Sequence, residues 1–200
     1  IHQYPELSFR EKETTEYIQK ELESMGIEVI RFSDYYGLIG VLKGGRAGKT
    51  VLLRADIDAL GIREENELDF CSVHAGVMHA CGHDCHSAML LGAAKILSAY
   101  RDALKGTVKF LFQSAEESGH GANYYVDHGC LDGVDAAMAI HMMNEIPEGT
   151  FSIEAGPRMA SCTDFTLTVH GVATHGSMPH LGHDAIVAAS AVIMLSLIHI

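Results

Sequence analysis

Val108-Lys109-Phe110-Leu111-Phe112-Gln113-Ser114-Ala115-Glu116-Glu117 passes from an apolar run straight into two adjacent carboxylates. The run reads as a strand with apolar residues on both faces, which belongs in a sheet covered on two sides. Two further runs share the design. Val51-Leu52-Leu53 leads into Arg54-Ala55-Asp56-Ile57-Asp58, and Val134-Asp135-Ala136-Ala137-Met138-Ala139-Ile140 leads into His141. Helical stretches are expected between them, from Ser87 to about Tyr100 and from Ala122 to His128. Strands alternating with helices predict an α/β fold, a mainly parallel sheet with helices on both faces. Ligands in such sheets bind beyond the carboxyl ends of the strands, where all three runs place acids or an imidazole.

A fourth contribution to that edge is Ala80-Cys81-Gly82-His83-Asp84-Cys85-His86, preceded by His79. Thiolate and imidazole suit zinc, manganese or a similar divalent ion, and Gly82 lets the backbone bring Cys81 and His83 to one point. The stretch alone fits a structural zinc knuckle as well as a catalytic centre. A knuckle usually draws a second ligand pair from a separate turn, and the sequence has no such pair. Glu116 and Glu117 are neighbours whose side chains point different ways on an extended backbone. We therefore divide their roles, with Glu117 holding metal and Glu116 facing the substrate as general base. Taken singly, Asp56 and Asp58 also fit turn caps, the glutamate pair a solvated helix start, and His141 a core histidine. Four coincidences at one sheet edge favour the metal centre.

Upstream, Ser8 and Glu11 have capping-box spacing, Ile18, Leu22 and Met25 follow at helical intervals, and Gly26 ends the helix. Strands are expected at Ile27–Phe32, Leu38–Leu42 and Thr50–Arg54, with a glycine-rich turn from Lys43 to Gly48. After Pro157 the texture changes: Asp164-Phe165-Thr166-Leu167-Thr168-Val169-His170 alternates polar and apolar, as an antiparallel strand with one wet face does. We expect a catalytic metal-binding domain over residues 1–160 and, over residues 161–200, the start of a smaller α+β satellite domain with a helix from Asp184. The chain stops inside that helix, on apolar residues without a cap, so a fragment is expected.

Fourteen Lys and Arg against 26 Asp and Glu give a net charge of -12, which argues against nucleic-acid and anionic-membrane partners. No apolar run is long enough to span a bilayer and the start lacks signal-peptide order, so a cytoplasmic protein is expected. Five cysteines, an odd number, fit reduced thiols, with Cys71, Cys130 and Cys162 as small buried hydrophobes. His120, His128, His170, His180 and His183 are expected at the surface.

The motifs RADIDAL (Arg54 to Leu60), HACGHDCHSAMLLGAAKIL (His79 to Leu97), GTVKFLFQSAEESGHGA (Gly106 to Ala122), His141 and GVATHGSMPH (Gly171 to His180) resemble, in that order, the M20 family of metallopeptidases. HQYPELSF (His2 to Phe9) narrows the resemblance to the amidohydrolase branch, which holds hippurate hydrolases, N-acyl-amino-acid amidohydrolases and auxin-conjugate hydrolases. The resemblance implies a zinc-peptidase-like catalytic domain with two divalent ions, manganese or zinc first and cobalt or nickel after them. It implies Cys81 as a bridging thiolate, His83, Glu117 and His141 as further ligands, and Glu116 as general base. Asp58 matches an aspartate that backs a ligand without touching metal. His175 matches a satellite-domain histidine that, in related dimers, reaches the partner's site and holds the substrate carbonyl oxygen. The implied reaction is hydrolysis of N-acyl amino acids by a homodimer. A dipeptidase or aminopeptidase is the alternative within the family, and a non-catalytic metal-binding module the alternative outside it. The family's last ligand, a histidine near the end of a longer chain, has no match here, so this stretch by itself is expected to be metal-deficient and inactive.

Overall fold

The computed structural model describes residues 1–161, 163 and 165–199. Cys162 and Asp164, which carry two of the expectations above, lie outside them. The chain divides into two compact units, Ile1–Thr150 and Phe151–Ile200.

The first unit is built on a five-stranded sheet of order β1-β2-β4-β3-β5. The strands are β1 (Glu28–Arg31), β2 (Leu38–Lys43), β3 (Arg46–Asp56), β4 (Lys105–Gln113) and β5 (Ala136–Ala139). β4, β3 and β5 run parallel, with Leu53 opposite Phe110 on one side and Met138 on the other. The β1–β2 hairpin extends the sheet antiparallel beyond β4.

Side chains along a strand alternate between faces, and the apolar runs fill both. Phe110 and Phe112 pack with Leu38, Leu42 and Ala55 against Ile18 and Leu22 of α1 (Lys12–Ser24) and Leu90 and Ala94 of α2 (His83–Ala99). Between them, Leu111 points to the opposite face and joins Ile39, Leu52, Cys130 and Tyr125 of α3 (Gly121–Asp127). Each large apolar side chain buried in this way contributes roughly 1.5–3 kcal/mol. Helices therefore cover both faces, as the sequence predicts.

Within the first unit the structure departs from expectation at four places. The Ser8–Glu11 pair forms no capping box: Glu11 occupies the N-cap of α1 without a side-chain cap bond, and the Glu6 carboxylate accepts from the Glu13 and Thr14 amides instead. Helix α2 begins at His83, four residues before the expected Ser87, because Gly82 takes a left-handed φ of 82° that starts the turn early. β5 is apolar yet exposed along its length, and it is the last strand of the sheet that the described residues form. Cys71 is only half-buried, with its Sγ between the Leu68 amide and the Asn66 carbonyl, whereas Cys130 is buried as expected.

The second unit carries an isolated Val172–His183 bridge and the apolar helix α4 (Ala185–His199), capped by Asp184, whose Oδ1 accepts from the Ile186 and Val187 amides. Residues 165–170 form no ladder, because a strand needs a partner and the described residues of this unit supply only that bridge. Among the described residues no helix is long and apolar enough to cross a membrane.

Candidate metal centre

His83 is the first residue of α2 and is fully buried. Its Nδ1 lies 3.2 Å from Asp58 Oδ1, just past the end of β3. The other oxygen of Asp58 accepts from Ser8 Oγ at 2.7 Å and from the Glu117 amide at 3.0 Å. Burial works against ionisation of Asp58, but these partners outweigh it and hold the carboxyl below its ordinary range. A carboxylate on one imidazole nitrogen fixes the ring and turns the other nitrogen's lone pair outward.

That second nitrogen, His83 Nε2, is buried and has no hydrogen-bond partner among the described residues. It stands 3.6 Å from Asp56 Oδ2, 3.7 Å from Glu117 Oε1 and 3.8 Å from Glu116 Oε2, too far for hydrogen bonds. Cys81 Sγ and His141 Nε2 are 3.5 Å apart, and both lie within 4.8 Å of a His83 nitrogen. Two ligands on one zinc-sized ion, each at about 2.0–2.3 Å, are themselves about 3.3–3.8 Å apart in a tetrahedral shell. The orphaned nitrogen and these spacings fit a divalent cation. The Cys81 thiol is pushed up to about 12 by burial and by the Glu117 and Glu116 carboxylates, and a divalent cation beside it would favour the thiolate.

His141 follows β5 and donates from Nδ1 to the Met142 carbonyl at 2.6 Å, which leaves Nε2 as an acceptor facing Cys81. Glu116 and Glu117 sit on a 3-10 turn (Glu116–Ser118) after β4. Ahead of them Ala115 is buried in the left-handed region at φ 57°, where a side-chain-bearing residue costs roughly 1–2 kcal/mol. The turn closes tightly: a Cβ on Gly121 would fall 2.2 Å from the Ser114 carbonyl oxygen. Burial raises the Glu116 carboxyl, helped by Asp56 and Glu117 and opposed by His83.

The structure thus brings Cys81, His83, Glu116, Glu117, His141 and Asp58 together. His175 belongs to the second unit, on an exposed turn with Nδ1 2.8 Å from Ser177 Oγ. His120, His128, His170, His180 and His183 are exposed as expected.

Two residues of the site were left without a role by the sequence reading. Asp56 Oδ1 binds His86 Nδ1 at 2.5 Å, and Oδ2 accepts from Arg54 at 2.8 Å. Burial opposes ionisation there too, but His86 and Arg54 prevail and hold the Asp56 carboxyl at about 2. His86 Nε2 accepts from the Met142 amide at 2.9 Å, so both its nitrogens are committed and it braces the site rather than offering a lone pair. Their signals were present: residues 83 and 86 share a helix face, and residues 56 and 58 share a strand face. Cys85, between them in sequence, is exposed.

The sequence matches Peptidase family M20/M25/M40 over residues 52–197. It is 44% identical to an N-acetyl-L-cysteine deacetylase of Bacillus subtilis, over 97% of this chain and 47% of that protein. It is 43% identical to an N-acyl-L-amino acid amidohydrolase of Geobacillus stearothermophilus, over 100% of this chain and 54% of that one. The chain thus spans about half the length of the curated relatives it matches. Among solved structures, a dinuclear metal-binding peptidase of the M20 family from Bacillus subtilis superposes with a TM-score of 0.75 at 44% identity, covering 78% of this chain and 44% of that one. With the family match extending over most of the chain, and with a fold and a ligand cluster that agree with it, this protein belongs to peptidase family M20/M25/M40.

Proposed function

We propose that the full-length protein hydrolyses the amide bond of N-acyl amino acids or similar small amides with two divalent metal ions, manganese or zinc. The observation that carries the reading is His83, oriented by Asp58 through Nδ1 and presenting an unpartnered buried Nε2 to Cys81, His141, Glu116 and Glu117. Cys81, His83, Glu117 and His141 would hold the ions, Cys81 supplying its thiolate. When bound, the ions supply Lewis acidity, which polarises the amide carbonyl and lowers the pKa of water towards about 7.

The chain's own residues do the rest. Glu116 takes a proton from water as the water oxygen adds to the amide carbon. The same carboxyl then gives the proton to the amide nitrogen as the C–N bond breaks, which an amine leaving group requires. Burial raises the proton affinity of Glu116, which suits a group that must accept and then release a proton. His175 contacts the substrate carbonyl oxygen in a homodimer, and the protein works in the cytoplasm with its thiols reduced. The amidohydrolase names of the similar proteins support the substrate class.

The test is release of free amino acid from hippurate and N-acetyl amino acids by the full-length protein, alongside its metal content. Chelation should abolish turnover, and Glu116→Gln should lower kcat by about 100-fold or more with metal retained. Cys81→Ala should lose metal as well as rate. Chelator-insensitive turnover, or an unchanged rate in Glu116→Gln, would overturn the proposal.

A further inference from the structure

Glu11 is fully buried, and its carboxylate serves neither α1 nor a cation among the described residues. Its two oxygens instead accept from Ser114 Oγ at 2.7 Å and from the Ala115 amide at 2.8 Å, across more than a hundred residues of sequence. These donors are the two residues that lead into Glu116 and Glu117. We infer that Glu11 is a positioning residue of the metal centre, holding the Ser114-Ala115 turn that aims Glu116 and Glu117. The inference rests on the roles proposed above for those glutamates.

Three observations support it. Ala115 is one of two non-glycine residues with positive φ among those described, and such a backbone persists only where its surroundings hold it. Its holders come from three sides: Glu11 takes its amide, while Ser118 Oγ and the Gly121 amide bind its carbonyl. Tyr125 steadies the residue before it, accepting from the Ser114 amide at 2.8 Å and donating to the Tyr36 carbonyl at 2.6 Å.

The capping of α1 does not explain Glu11, because Glu6 supplies the side-chain acceptor for that helix. A buried carboxylate with no cation beside it is costly to retain for packing alone. Finally, Ser8, three residues earlier, donates to the same Asp58 oxygen that takes the Glu117 amide. One short segment therefore grips the glutamate turn from two sides, through Asp58 and through Ser114-Ala115.

The experiment compares Glu11→Ala, Glu11→Gln, Ser114→Ala and Glu116→Gln in the full-length protein, reading kcat, KM, metal retained after dialysis and cooperative unfolding. Glu11→Ala should lose about 100-fold in kcat with little change in KM, since ångström misplacement of a reacting group costs that much. It should also retain less metal, because Glu117 moves with the turn. Glu11→Gln should stay within about threefold of the parent, since an amide oxygen still accepts from Ala115 and its NH2 can donate to the Ser114 hydroxyl.

A cooperatively folding Glu11→Ala with parental kcat and metal content overturns the inference, as does a Glu11→Gln as impaired as Glu11→Ala. Should Glu11→Ala fail to fold, Ser114→Ala decides: about tenfold lower kcat at constant KM supports the positioning role, and an unchanged kcat overturns it. An active Glu116→Gln would sink the proposed reaction instead, and the metal retained by Glu11→Ala would still report on the positioning of Glu117.

Discussion

On the β4 flank of the candidate metal centre, His83, Asp56 and Asp58 are buried, and hydrogen bonds link them or the neighbouring glutamate turn to Ser8, Glu11, Arg54 and Tyr125. The β5 flank is built differently. Met138 is 58% and Ile140 51% exposed, and His141 is oriented by the carbonyl of the next residue. One flank derives its geometry from several partners far apart in sequence, the other from its place in the sheet ladder, one local bond and the single long-range bond from the Met142 amide to His86. A change on the first flank should therefore propagate, and a change on the second should stay where it is made.

The sharpest form of that contrast is a pair of truncations in the two strands. Phe112→Ala removes a fully buried ring from the cluster that holds α1 and α2 to the sheet, and should cost about 3–5 kcal/mol. Met138→Ala on β5 should stay within about 0.5 kcal/mol, as exposed positions do. Urea unfolding of both variants checks the difference, and equal losses would erase the distinction. Asp58→Ala comes next, with about 3 kcal/mol, because it strands the His83 Nδ1, the Ser8 hydroxyl and the Glu117 amide together. Elemental analysis should find that variant poor in metal even where it remains folded.

His86 joins the flanks, binding Asp56 on one and the Met142 amide on the other. His86→Ala should cost about 1–3 kcal/mol for the two partners left unpaired. Its signature is asymmetric: weaker metal retention accompanied by greater mobility at His141 than at His83, read from imidazole NMR line widths. Equal broadening of both rings would mean that the β4 flank is not independently braced.

How much of this was legible beforehand follows the same division. Strand runs such as Val108–Phe112 announce themselves by composition, and the acids and imidazole at their ends follow from chain direction, so the sheet and the gathering of Cys81, His83, Glu116, Glu117 and His141 at one edge could be read. Burial of β5 could not, because an apolar edge strand and an apolar central strand look alike in sequence. Glu11 misled for a physical reason. Capping-box spacing is a local pattern, and a carboxylate that can bond to its own helix can equally be taken by Ser114 and Ala115 once the fold brings them near. Asp56 and His86 were hidden behind stronger neighbours, although their spacing from Asp58 and His83 already placed them on the same faces.

The smallest expected effect lies at the outer edge of the braced flank, where His2 spans two carboxylates, Glu64 at 3.0 Å and Asp84 at 2.7 Å on α2. Burial lowers the proton affinity of His2, but the hydrogen bonds it donates to Glu64 and Asp84 outweigh it, so its pKa is raised above 6.5 in the folded chain. A raised pKa contributes stability that is fully present below the unfolded value of 6.5 and is lost as pH climbs through the folded value. Glu64 behaves oppositely: the Ser72 amide, with His2 and Asn66, holds it at about 2 against an ordinary 4.5, so its contribution is present above 4.5 and fades as pH falls towards 2. The two windows overlap between pH 4.5 and 6.5, where the bridge is an imidazolium facing the ionised Glu64. The stability gap between the parent and His2→Gln should therefore be widest in that interval and narrow on both sides of it. A gap that held constant from pH 5 into the alkaline range would mean that His2 contributes by packing against Phe70 and not by charge.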